Sequence, residues 1–82
     1  MAAQKLPIKS ISVPAARRRV LHPETVRTLA AAILRDGLKE PITVREKGKR
    51  FQLVEGLHRL EAVKWLDGET IDAVVLPADG GA

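Results

Sequence analysis

The stretch Leu53-Val54-Glu55-Gly56-Leu57-His58-Arg59-Leu60-Glu61-Ala62 decides how this chain folds. Phe51, Leu53 and Val54 are aromatic and apolar residues suited to a strand. Glu55-Gly56 ends that strand, because glycine admits backbone angles that other residues avoid. From Arg59 to Leu66 the apolar residues return at helical spacing: Leu60, Val63 and Leu66, with Ala62 beside them. The segment therefore reads as strand, glycine bend, helix. Gly68 is expected to stop the helix. Ile71 to Leu76 is a near-continuous apolar run, the pattern of a buried strand, and Pro77 ends it.

Working toward the N-terminus, Pro41 opens another strand in which Ile42 and Val44 alternate with Thr43 and Arg45. Lys47-Gly48 reads as the turn that sends it back beside Phe51 and Leu53. Before it lies a helix. Pro23 suits the first helical position, Glu24 suits the positive dipole end, and His22 falls at the N-cap. Val26, Leu29, Ala30, Ile33 and Leu34 follow the i, i+3, i+4, i+7, i+8 rule of a single buried face. Arg35 and Gly37 close the helix. Ile8 to Val13 reads as a first strand closed by Pro14, and 15–21 as a connector carrying Arg17, Arg18 and Arg19. The order β-α-β-β-α-β calls for a layered α/β or α+β fold. No repeat is visible, and 82 residues allow one domain, with a core over about 6–77. The first few residues and the tail from Ala78 are expected to be loose.

Composition narrows the function. The chain has no cysteine, which removes disulfides, thiolate metal sites and thiol chemistry from it. Phe51 and Trp65 are its sole aromatics, so the core must be aliphatic. No apolar run approaches the roughly 18 residues of a membrane span, and residues 1–5 lack the apolar stretch of a signal peptide. A cytoplasmic location is expected. The net charge is +4, with clusters at Arg17–Arg19 and at Lys47, Lys49 and Arg50. Such a chain favours anionic partners such as nucleotides or nucleic acid, although basic residues at a turn also serve solubility.

The chemistry concentrates at Gly56-Leu57-His58-Arg59. A helix start offers unpaired N–H groups and the positive dipole end. Arg59 adds a fork of donors shaped for phosphate oxygens, and His58 a donor or proton carrier. Together they make a coherent phosphate pocket. The plainer alternative is a solvated helix start. Cations at a helix N-terminus cost about 0.3–1 kcal/mol each, so Arg59 there calls for an anionic neighbour. Both readings stay open on the residues alone.

The run Leu29 to Val44, with its helix, glycine and Glu40-Pro41-Ile42-Thr43-Val44 strand, resembles the ParB N-terminal domain, and so does Phe51 to Leu66 with its Gly56–Arg59 turn. The closing strand Ile71–Leu76 is similar too. The resemblance implies an α+β domain of the ParB/sulfiredoxin fold, a small mixed sheet with two helices. It implies nucleotide binding at Gly56, His58 and Arg59, with Leu57 inside the turn and Arg18, or its neighbour Arg17 or Arg19, closing from the connector. A nucleoside triphosphate, CTP or ATP, with Mg²⁺ is the expected ligand. DNA partition or DNA-linked regulation is the expected setting, and a homodimer or larger partner protein the expected company. Glu40 stands where a glutamine is common in the family.

Departures from the family bear on catalysis. By the resemblance, position 57 holds a cysteine in sulfiredoxin, a histidine in a free-serine kinase and a glutamate in partition proteins. Leu57 has no nucleophile, proton or metal-ligating atom, so little or no catalysis is expected. Glu55 and His58 are the residual catalytic candidates, Glu55 as a base or through water on Mg²⁺. The helix-turn-helix that partition proteins append is absent from this sequence, so non-specific phosphate contact with DNA is expected rather than sequence reading. A nuclease or phosphotransferase, and a protein-interaction module on the same fold, are the alternatives. His22, His58 and Glu55 match no metal-ligand spacing, and no protein-held metal is expected. Trp65 reads as packing, Asp72 as an exposed edge group, and Ser10 and Ser12 as strand residues without partners.

Overall fold

The computed structural model describes residues 3–78. The ends expected to be loose fall largely in 1–2 and 79–82, outside the described residues. The elements in order are β1 (Gln4–Pro7), β2 (Ile11–Ser12), α1 (Ala15–Arg18), α2 (Pro23–Asp36), β3 (Ile42–Lys47), β4 (Arg50–Glu55), α3 (Leu57–Trp65) and β5 (Thr70–Leu76). They form one mixed sheet in the order β1-β5-β3-β4-β2. β3 runs antiparallel to β4 and parallel to β5, β2 runs parallel to β4, and β1 runs antiparallel to β5.

The single first strand expected over Ile8–Val13 is instead two strands joined by a 3₁₀ turn at Ile8–Ser10. β1 lies on one edge of the sheet and β2 on the other. Five flat strands would set those edges about 19 Å apart. The four Cα steps from Pro7 to Ile11 reach at most about 14 Å. The sheet must therefore curl until its two edges approach. Ile8 and Ile11 bury their side chains inside that curl. The turn is held by Ser10 Oγ donating to the Pro7 carbonyl at 2.7 Å and by the Ile8 N–H donating to the Glu69 carbonyl at 2.9 Å. Ser12 Oγ likewise donates to the Phe51 carbonyl at 3.2 Å, so neither serine lacks a partner.

α3 lies between the sheet and α2. Leu57, Leu60 and Val63 pack into the sheet core with Leu6, Ile42, Val44, Leu53, Ile71 and Ala73. Ala62 packs the other way, against Val26 and Ala30 of α2. A fully buried alanine at the helix crossing lets the two backbones approach closely. This explains why α3 is apolar on two faces while α2 is apolar on one. On α2, Val26 and Ala30 are buried and Leu29 and Ile33 half-buried, but Leu34 is 77% exposed. At 100° per residue Leu34 sits at the margin of the Val26–Ile33 stripe, so the buried face is narrower than the pattern implied. Trp65, expected to pack, is also exposed. Asp72 is half-buried on β5, which is an inner strand.

The Arg17–Arg19 connector holds the extra short helix α1, giving three α-helices among the described residues where two were expected. None of the helices among the described residues is long and apolar enough to cross a membrane. The glycine expected to stop α3 does so indirectly. Asp67, not Gly68, takes the left-handed conformation, at φ 60°. The Asp67 N–H donates to the Lys64 carbonyl and the Gly68 N–H to the Val63 carbonyl, which is the double closure of a Schellman motif.

Candidate functional site

β4 delivers the chain to Gly56, which caps α3 with φ 103° and ψ 28°. That left-handed conformation favours glycine, and the surroundings require it as well. A Cβ at this position would lie 2.7 Å from Cγ2 of Ile42, a residue pinned in the core. The helix then begins at Leu57, two residues before the expected start, because the Gly56 carbonyl already accepts from the Leu60 N–H. Leu57 points into the core, where its apolar side chain is a packing element. His58 and Arg59 follow on half-buried surface. The cap has no side chain to satisfy the first N–H groups of α3.

An open cavity of about 440 Å³ lies against this turn. Its wall comprises Glu55, Gly56, Leu57, His58 and Arg59 from the β4–α3 junction, Leu29 from α2, and Arg17 and Val20 from the connector. The structure thus brings together every residue of the expected turn. Of the three consecutive arginines, Arg17 lines the cavity, whereas Arg18 is not among the lining residues. Glu55 is an exposed carboxylate on the rim, at the end of β4.

The two polar side chains of the turn, His58 and Arg59, each have a partner. Nε2 of His58 accepts the backbone N–H of His22 at 3.1 Å, and the two imidazoles stack at 5.7 Å with 8° between their planes. A neutral His58 that accepts at Nε2 carries its proton at Nδ1, which leaves one donor. Nη2 of Arg59 donates to Oε2 of Glu40 at 2.6 Å. The anionic neighbour that Arg59 required is therefore within the chain. The pair is solvent-screened, with Glu40 70% and Arg59 37% exposed, and contributes about 0–1 kcal/mol. Arg59 also borders a second cavity of about 350 Å³, together with Leu29, Ile33, Leu38 and Glu40. Among the described residues no three His, Asp or Glu side chains converge as a metal-ligating group.

Residues 1–80 match the family described as ParB N-terminal domain. The chain belongs to that family. This ParB-type domain is 36% identical over 73 residues to the nucleoid occlusion protein of Halalkalibacterium halodurans, covering 87% of the chain and 25% of that protein. It thus spans about a quarter of that relative's length. Among solved structures it resembles sulfiredoxin from Arabidopsis thaliana, with a TM-score of 0.86 and 29% identity over 95% of this chain and 88% of the other. It also resembles the C-terminally truncated chromosome-partitioning protein ParB from Caulobacter crescentus complexed with CTP-gamma-S. That match has a TM-score of 0.81 and 26% identity, and covers all of this chain and 48% of the other. The expected family and the expected α+β fold of ParB/sulfiredoxin type are both borne out.

Reading by residue type missed Glu40, Val20 and Leu29 as part of the site. Glu40 lies 19 residues from Arg59. No local spacing rule links them; they meet because β3 starts beside the bend at Gly56. The available signals were the uncompensated cation at a helix start and the departure of Glu40 from the glutamine common in the family.

Proposed function

We propose that this domain binds a nucleoside triphosphate, CTP or ATP with Mg²⁺, with little or no turnover, and that it serves DNA partition or DNA-linked regulation. The observation that carries this reading is the 440 Å³ cavity on which the uncapped first turn of α3, His58, Arg59 and Arg17 converge. Its volume falls in the usual range for small-molecule sites, about 300–1,000 Å³. Phosphate oxygens would take the free N–H groups of the turn, the Nδ1–H of His58 and the guanidinium of Arg59. Arg17 closes from the connector in the role expected of Arg18. Glu55 repels a bare triphosphate and favours one whose charge is shared with Mg²⁺.

The family match, the nucleoid occlusion relative and the CTP-analogue complex of the partition protein support the nucleotide and the DNA setting. The +4 charge suits non-specific contact with DNA phosphates. Titration calorimetry of the chain with CTP, ATP and GTP in Mg²⁺ tests the reading. Saturable heat with one of them supports it, and no heat at millimolar nucleotide overturns it.

A protein-interaction role is the second reading. Val20, Leu34 and Trp65 are large apolar side chains more than half exposed, which favours it. Nucleotide-independent capture of a partner protein, lost on Trp65→Ser, would support that role. A nuclease has less behind it, since Nε2 of His58 is already engaged by His22.

A further inference from the structure

Arg59 stands between two anions, one within the chain and one expected from solution. Its Nη2 lies 2.6 Å from Oε2 of Glu40, and the same side chain walls both the 440 Å³ cavity at the α3 start and the neighbouring 350 Å³ cavity that Glu40 lines. A phosphate bound to this guanidinium would sit within a few ångströms of the Glu40 carboxylate. Two outcomes are then open. The pair stays closed and the phosphate bears the repulsion, or the pair opens and its attraction is lost. Each weakens binding. Glu40 is 70% exposed and has no other hydrogen-bond partner among the described residues, so it is free to swing away.

We infer that Glu40 is a built-in rival of the anionic ligand, occupying Arg59 and setting how tightly phosphate groups are held at the start of α3. The inference rests on the nucleotide reading and deepens it. Glu40 then acts as a gain control on the site. With the carboxylate in place, occupancy requires a ligand carrying enough negative charge to take the guanidinium from it, which disfavours singly charged anions relative to triphosphates.

Glu40→Gln tests this, because glutamine keeps the length and an oxygen acceptor for Arg59 while removing the charge. Glu46→Gln is the control. It removes the same charge from the exposed far end of β3, at the hairpin. The chain and both variants are titrated calorimetrically at low salt with sodium triphosphate, and with CTP and ATP in Mg²⁺. Glu40→Gln is expected to bind about two- to fivefold more tightly than the parent, with Glu46→Gln matching the parent. Binding of sodium triphosphate by Glu40→Gln where the parent binds only the nucleotides supports the inference equally. Equal affinity of parent and Glu40→Gln overturns it and leaves the nucleotide reading standing. An equal gain in both variants also overturns it, since net charge then suffices. No binding by any of the three removes the nucleotide reading and the inference together.

Discussion

The backbone N–H of His22 donates to Nε2 of His58 at 3.1 Å, so the first turns of α2 and α3 are fastened together across 36 residues of sequence. The two rings stack on each other, and they are the only histidines of the chain. The bond fixes where the connector, with Arg17 and Val20, sits relative to the α3 start. His58→Ala is expected to cost about 0.5–1.5 kcal/mol, the worth of one hydrogen bond at an accessible position. His58→Phe keeps a flat ring for stacking but has no acceptor. Amide hydrogen exchange at His22 should accelerate in both variants. Unchanged exchange in His58→Phe would show that stacking, not the hydrogen bond, holds the two helix starts.

Gly56 is irreplaceable for two independent reasons, and their costs add. A left-handed backbone costs an L-residue about 1–2 kcal/mol. Forcing a Cβ to within 2.7 Å of Ile42 Cγ2 adds about 1–3 kcal/mol of overpacking in a rigid core. Gly56→Ala should therefore lose about 2–5 kcal/mol in urea unfolding. Gly48 provides the comparison. Its φ is 62°, and nothing lies within 4 Å of where a Cβ would stand. Gly48→Ala should lose only the backbone part. Equal losses at the two sites would mean that Ile42 yields.

The periodic parts of the fold were legible in the residues. α2 follows from Pro23, the Val26–Ile33 stripe and Gly37, and the β3–β4 hairpin follows from alternation around Lys47-Gly48. Elements fixed by distant partners were not. Ile8–Ser10 forms a turn because the chain must pass from one sheet edge to the other, a demand set by β5 and β4 far along the sequence. Leu57 joined the helix because the Gly56 carbonyl is its first acceptor, which spacing alone does not reveal. At the site, the chemical types at Gly56, His58 and Arg59 were readable, whereas the Arg59–Glu40 and His58–His22 pairings required the register of β3 and the packing of α2 on α3.

The end of α3 offers a stabilising change. Asp67 adopts φ 60° while completing the Schellman closure, and both of its neighbours are constrained. Leu66 lies at the C-cap, and a Cβ on Gly68 would meet Val63 Cγ1 at 2.5 Å. Glycine relieves the left-handed strain at 67 without touching those contacts. Asp67→Gly should raise stability by about 0.5–1 kcal/mol, or a few degrees in thermal melting. Asp67→Ala should lower it, because aspartate visits the left-handed region more readily than alanine does. The opposite order would mean that the aspartate side chain contributes more to the turn than its backbone strain costs.

Arg59 separates stability from binding. Its ion pair with Glu40 is largely solvent-exposed, so Arg59→Ala should change unfolding free energy by no more than about 1 kcal/mol. The same substitution removes the guanidinium from the wall of the 440 Å³ cavity. A charged hydrogen bond is worth about 1.5–3 kcal/mol, so nucleotide affinity should fall by roughly ten- to a hundredfold. Arg59→Lys keeps the charge but not the planar fork and should recover part of that loss. Calorimetry paired with urea unfolding on the same samples decides the matter. A folded Arg59→Ala that binds nucleotide as tightly as the parent would place the phosphates elsewhere. A variant that loses binding and stability together would make Arg59 a structural residue whose partner is Glu40 alone.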